Sequence, residues 1–519
     1  MRSTRPRPPL VAVVLLVALA PLTGCLSARG ADGSATDTVN AALGTDPSTF
    51  DPALGSASDD YTADRLLYDT LTRRDNEGLA AGLATDWEAV SAAEFVFTIR
   101  PGATCSDGTP VSPTVVADSL TRFADPDTGS PGRTLALGRG EATFTPDDEA
   151  GTVTVELTEN WADLPIGLSL PQTGIVCPAG LADPEGLAAG TVEGAFSGPY
   201  TLARATPAVS YEFALREEYD AWPDFAEPLT GTAPATLVFT PYADPSTRAT
   251  QLLSGVLDVA SFPDENIGRF ENNDSFSVDM VHALSTYLLF NEREGSVFAD
   301  APELRRAVAQ ALDPEAFTQV VTNGRGQVLR SVGSSALPCA NTDTSLLPGH
   351  DPEAAGEVLD GVTIRFVGTI GVDQGNEYAA EVLRNAGADI ELRNLDNAQW
   401  SEITSGGGGD WDLTIQADFN VVGSLPSSLL RVMGPPTEDG GRSKTGADNE
   451  EGYGALLEAM STTEQDARCQ ALRRAQESFL QRVDAAPLAG LAEASVAADG
   501  VSIRALGDYI DPATIRIVG

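Results

Sequence analysis

Apolar residues recur along this chain with two periods. In "EFVFTIR" (94–100) and "GTVTVELT" (151–158) apolar and polar positions alternate, the pattern of strands with one buried face. "GVTIRFVG" (361–368) and "WDLTIQADF" (411–419) are of the same type. "SPTVVADSLTRFAD" (112–125) opens on Ser-Pro and repeats its apolar positions at helical spacing, which predicts a capped helix. Two helical segments share 302–324, the second closed by Asn-Gly, and 377–387 and 466–483 predict amphipathic helices. Strands and helices alternating over this length indicate a mixed α/β, α+β chain without internal repeats. Residues 434–453, rich in Gly, Asp and Glu, form a long surface loop on this reading.

The N-terminus follows another rule. Arg2, Arg5 and Arg7 precede an apolar run at 10–20 that is too short to span a bilayer, the layout of a secretory signal. Its end, "LTGC" at Cys25, resembles the lipobox of bacterial lipoproteins. That resemblance implies a signal peptide over 1–24 and a diacylglycerol on Cys25. It also implies a tether over 25–36 and a place on the outer face of the cytoplasmic membrane. An ordinary signal peptide with a chance cysteine is the alternative. No later stretch approaches the apolar length of a membrane span.

Composition narrows the partners. With 42% apolar and 21% charged residues the chain is globular, and 519 residues suffice for about three domains. Acidic residues number 75 against 32 basic, a net charge of −43. Such a field repels nucleic acid and anionic lipid and admits cationic or zwitterionic ligands. Lys444 is the only lysine. Cys105, Cys177, Cys339 and Cys469 are an even set in an exported chain, which suggests two disulfides. Three pairings are open, with free buried thiols as the alternative.

The residues for catalysis are largely missing. His282 and His350 are the only histidines, far apart, and HExxH and GxSxG do not occur. No metal site and no cofactor are therefore expected. "GGRSKT" (440–445) fails the spacing of a phosphate loop, and "SGGGGD" (405–410) precedes a strand, so it reads as a turn. Paired carboxylates keep a secreted acidic hydrolase as the competing class. On the 411–419 strand, Trp411, Leu413, Ile415, Ala417 and Phe419 share one face. Asp412, Thr414, Gln416 and Asp418 share the other.

A set of local patterns then points to one family. "GTDPSTFDP", "LATDW", "FTIRPG" and "SDGTPV" before a helix come first, and "SGPYTLARATPAVSYEFALREEYDAWPD" (197–224) follows. "STRATQLLSGVLDVA" (246–260) and "YLLFNEREGSVFADAPELRRAVAQALDPEAF" complete the set. In this order they resemble the family 5 extracellular solute-binding proteins, the dipeptide, oligopeptide and nickel class that serves bacterial ABC importers. The likeness covers 38–510. It rests on the ordered set, since no single motif is strong.

The resemblance implies a two-lobe periplasmic-binding-protein type II fold. Lobe one spans 37–285, with an inserted subdomain at about 62–190, and lobe two spans 286–480. Residues 481–519 return to lobe one, and hinges lie near Phe290-Asn291 and 480–490. Cys105–Cys177 and Cys339–Cys469 are then the favoured disulfides, because each pair falls inside one domain. "ADFN" (417–420) resembles the "ADYN" of peptide-binding members, whose Asp meets the ligand's amine, so Asp418 is the leading ligand residue. The following "VVGSLP" departs from that family's Glu-Pro. Gln416 and Phe419 flank Asp418, and Tyr61 with Asp59 and Asp60 occupies the first ligand-contacting loop. Phe290 at the crossover, and Trp411 with Trp400 beside the glycine run, are cleft walls or core. The implied partners are a peptide or other small solute and ABC permease subunits with a cytoplasmic ATPase. The implied state is a monomer. Nickel-chelate, sugar or opine cargo, and a sensor that does not import, stay open.

Overall fold

The computed structural model describes residues 37–405, 410–507 and 509–518. The expected signal peptide, the tether and Cys25 lie outside them. Alternating segments form the strands Glu94–Ile99, Thr152–Leu157, Thr363–Thr369 and Leu413–Asp418. Helical spacing gives Pro113–Ala124, Pro302–Ala311, Pro314–Thr322 and Gln465–Arg482. Ser112 caps the first of these helices by accepting the Val115 N–H, with Pro113 at its first position. Asn323, at φ 50°, ends the Pro314–Thr322 helix in the left-handed region. The helix expected at 377–387 starts earlier, as Asp373–Asn385, because its first turn is polar and lacks an apolar period.

One mixed sheet runs through both lobes, built around two long strands, Phe276–Phe290 and Ala485–Ala498, that pair antiparallel with each other. At one end the return strand pairs with Val259–Phe262, beyond which lie Thr38–Leu43, Thr236–Pro241 and a terminal hairpin. At the other end the outgoing strand pairs with Leu413–Asp418, followed by Thr363–Thr369 and Asp389–Leu395. The change of partners falls at the register shifts between His282 and Leu284 and between Ser285 and Tyr287, opposite residues 487–492. This corrects the outgoing crossover expected at Phe290-Asn291. Phe290 sits at the far lobe-two end, its ring fully buried and edge-on to Phe298 at 5.0 Å.

Each face of the lobe-two sheet is covered. Leu288, Phe290, Leu413 and Ile415 pack with the helices Pro302–Ala311 and Asp373–Asn385 in one core. Tyr287 and Leu289, pointing the other way, join a second core with the helices Glu450–Met460 and Gln465–Arg482. That core continues without a break into the inserted subdomain, from Leu71 to Cys177. The helix Ser58–Leu67 instead packs in the lobe-one core with Tyr200, Phe213 and Ile515. Disulfides join Cys105 to Cys177 and Cys339 to Cys469, with Cα separations of 6.0 and 5.1 Å. The 434–453 segment differs from the surface loop expected there: Ser443, Lys444 and Thr445 are buried, and a helix begins at Glu450.

Candidate functional site

Two cavities meet at the paired crossing strands. One, of about 110 Å³, is lined by Ala41, Tyr61, Phe239, Ile503 and Tyr509 of lobe one, with Phe419 reaching in from lobe two. The other, of about 350 Å³, separates Pro263 and Ile267 of lobe one from Val321, Arg325 and Gly371 of lobe two. Glu493, on the return strand, borders both. It is the one charged residue in "AAPLAGLAEASVAA", and that contrast is the sequence signal by which it could have been found.

The Glu493 carboxylate makes no hydrogen bond or ion pair with any described residue. Burial raises its pKa, with Asp59 adding to the rise and Arg248 opposing it. Arg248 directs its guanidinium to the carbonyls of Ser261 and Tyr242. A largely desolvated carboxylate facing a cavity without a partner is a receptor for a cationic donor.

The residues singled out in the sequence are distributed unequally around this space. Tyr61 and Phe419 line the first cavity. Asp60 does not: it is fully buried and accepts hydrogen bonds from Ser48, Ser56 and Ala57, which fixes the entry to the Ser58–Leu67 helix. Trp411 is likewise fully buried, against Val367 and Trp400, so it is core rather than cleft wall. Phe290 is core for the reason given above. Gln416 donates to the Ala417 carbonyl, while its own Oε1 is buried without a partner.

Asp418 is on the expected face but is already occupied. Arg431 Nε lies 2.7 Å from one carboxylate oxygen, and the Tyr287 hydroxyl donates to the other at 3.4 Å. Its side chain is 2% exposed. The free clamp expected at this position is therefore corrected to an internal ion pair. Asp410 and Asp412 also have a partner, since Arg365 binds both.

Arg431 belongs to a larger group. Arg442 and Lys444, from the segment expected to be a surface loop, lie close enough to Asp418 and Arg431 to feel their charges. Arg442 donates to Ser427, while Lys444 donates to Thr404 Oγ1 and places its ammonium 3.6 Å from the centre of the Trp400 ring. Burial, then the positive charge of Arg431 and Arg442, brings Lys444 down to about 7, with Asp418 acting in the opposite direction.

The sequence profile of the bacterial extracellular solute-binding proteins, family 5 (middle region), matches residues 78–436. The chain belongs to that family. Family 5 proteins bind solutes for transporters and are not enzymes, which sets aside the hydrolase reading. This family 5 protein is 40% identical to a substrate-binding protein of Microbacterium hydrocarbonoxydans solved with 4-hydroxybenzoate hydrazide. That likeness covers 93% of this chain and all of the other, with a TM-score of 0.78. It is 23% identical to a probable D,D-dipeptide-binding periplasmic protein of Escherichia coli, over 71% of this chain and 72% of that one. A dipeptide-binding protein of a Pseudoalteromonas species, solved with Met-Leu, shares the two-lobe fold at a TM-score of 0.73 and 18% identity. That match spans 93% of this chain and all of the other.

One turn beyond Tyr61 this binding protein holds a second carboxyl that sequence reasoning missed. Asp64 is 1% exposed and neither oxygen has a hydrogen-bond partner. Burial holds its pKa well above the usual carboxylate range, and the negative Asp60 and Asp51 raise it further. The folded state therefore keeps a proton that the unfolded chain releases above about pH 4. Stability falls as pH rises from there toward the raised value. Asp64→Asn is expected to gain about 2 kcal/mol at pH 7 and to lose most of that advantage near pH 4. Urea unfolding at the two pH values measures the difference.

Proposed function

We propose that this protein is the lipid-anchored receptor of an ABC importer, held outside the cytoplasmic membrane through Cys25. It works as a monomer that closes on a small amine-bearing solute, a short peptide foremost, and presents it to the permease. One observation carries the cargo reading: Glu493 is an unpartnered carboxylate on the wall of an aromatic cavity at the joint between the lobes. Tyr61, Phe239, Phe419 and Tyr509 supply apolar surface for a side chain or ring, and Glu493 supplies the counter-charge for an ammonium. Asp418 takes a supporting part through its ion pair with Arg431. The peptide-binding names among its relatives favour the same cargo class.

A second reading, an aromatic acyl hydrazide, is favoured by the aromatic lining and by the ligand of the 40% identical relative. The binders of agropinic acid and of Fe(III)-EDTA that share the fold are 19% and 16% identical, a likeness of fold alone, and do not favour opine or nickel-chelate cargo. Calorimetry with dipeptides and their N-acetyl forms tests the main reading. Glu493→Gln is expected to weaken free-amine dipeptides about 30-fold, the equivalent of roughly 2 kcal/mol, and the acetylated forms little. Equal loss for both forms would remove Glu493 from the amine site. Native mass spectrometry of freshly purified protein is the direct route to a co-purified solute.

A further inference from the structure

Phe419, which lines the first cavity, leads directly into a tight turn over 420–424. Asn420 fixes that turn: its side-chain oxygen accepts the Gly423 and Ser424 N–H groups, and its amide donates to the Ser424 carbonyl. Gly423 adopts φ 68°, and the Arg74 guanidinium packs into the space a Cβ would take. The turn belongs to "VVGSLP" (421–426), where the chain departs from the Glu-Pro of peptide-binding members. From its end the Ser424 hydroxyl donates to Asp163 of the inserted subdomain, and the Arg468 guanidinium takes the other carboxylate oxygen.

Asp163 is 5% exposed. It precedes the short helix Leu164–Gly167, the place of a capping residue, yet its carboxylate does not cap that helix. Both oxygens bond lobe two instead. Beside it the Ala162 N–H donates to the Met460 carbonyl at 2.8 Å, and Asn160 donates to Ser461 at 3.1 Å. The subdomain has its own four-stranded sheet and is tied firmly to lobe one. Arg216 donates to the Thr104 and Cys105 carbonyls, and Arg122 and Arg100 pair with Asp51 and Asp224. Toward lobe two, apolar residues are continuous beneath the seam, but the seam itself encloses two cavities. One of about 40 Å³ borders 159–161, and one of about 720 Å³ borders Ala162 and Asp163. A seam held by polar groups and flanked by cavities is one that parts and re-forms.

We propose that the 420–424 turn and the 160–163 loop form a latch that engages when the lobes close, with Asp163 as a positioning residue acting on the solute through Phe419. This rests on the solute-binding reading above and deepens it. A solute against Phe419 holds the turn where Ser424 reaches Asp163, and the engaged latch keeps Phe419 on the solute. Asp163 lines neither solute cavity, so its effect falls on the closed state and is blind to the charge of the ligand.

Stopped-flow kinetics and hydrogen exchange with Met-Leu, N-acetyl-Met-Leu and 4-hydroxybenzoate hydrazide separate a latch from a fixed joint. Asp163→Asn is expected to speed dissociation of each bound probe about 10- to 100-fold and to leave association within about 2-fold. The factor should be the same for Met-Leu and its acetylated form, unlike that of Glu493→Gln. Ser424→Ala leaves the Asp163–Arg468 pair and should speed dissociation about 3- to 10-fold. In the unaltered protein a bound probe should slow amide exchange over 158–163, and both variants should erase that gain. A structural joint would lower the urea midpoint and move neither readout. Ser424→Ala removes a single hydrogen bond, so it carries the test if Asp163→Asn does not fold. Unchanged dissociation, or exchange over 158–163 indifferent to a probe that calorimetry shows bound, overturns the latch and leaves solute binding intact. Failure of every probe to bind overturns the solute reading for these classes, and the latch's part in capture with it.

Discussion

Asp418→Ala is expected to cost about 3–5 kcal/mol of folding stability, the range for removing one partner of a buried ion pair. Among the described residues the carboxylate is the only negative charge acting on Arg431, Arg442 and Lys444, so its loss leaves three cations in mutual repulsion. The Tyr287 hydroxyl loses its acceptor as well. Denaturant unfolding at neutral pH gives the loss directly. The double variant Asp418→Ala/Arg431→Met should recover more than half of it, because the stranded guanidinium goes too. A loss below about 1 kcal/mol would mean that water or a bound anion already neutralises the cluster.

Arg305→Met should be as damaging, for a different reason. Arg305 is almost fully buried and pairs with Glu292 at 2.8 Å and with Asp484 at 3.6 Å. It also donates to the carbonyls of Phe298, Arg482 and Val483. One guanidinium thus fastens the lobe-two ends of both crossing strands, since Glu292 follows the outgoing strand and Asp484 precedes the return. Burial and the neighbouring Asp484 already push Glu292 up to about 8 even with Arg305 drawing it down. Without Arg305 the Glu292 carboxyl and three carbonyls lose their donor, while Asp484 keeps Arg482 and Asn449, and about 3–5 kcal/mol is the expected cost. The adjacent Arg306 makes a single exposed bond, to the Gln481 carbonyl, so Arg306→Met should change stability by less than about 0.5 kcal/mol. Unfolding midpoints of the pair test this contrast.

Arg305 also shows what a sequence can disclose. It is the arginine of "ELRRAV" in the crossover pattern that pointed to the family, and the structure gives that pattern a physical cause. The strands and helices were legible because burial of one face imposes a period of 2 or 3.6 on the chain itself. The facing of Asp418 was legible for the same reason. Its partner was not, because strand period says which side a group takes and nothing about what folds over that side. Arg442 and Lys444 come from a segment without apolar period, where local sequence reads as solvated. Glu493 was hidden differently. A strand whose two faces are both covered has an unbroken apolar run, and none of the local patterns that carried the family likeness includes Glu493.

The two crossing strands have a consequence for how a solute is sensed. Val281, Leu284, Leu491 and Glu493 belong to this ribbon and also line the cavities. In the binding mode proposed above the solute rests on the fulcrum and not on the tips of the lever arms. A small shift at a fulcrum becomes a large sweep at the ends, so a solute too small to bridge two distant surfaces can still set the distance between them. Occupancy at the centre is thus reported at the rim, where a membrane partner has access to it.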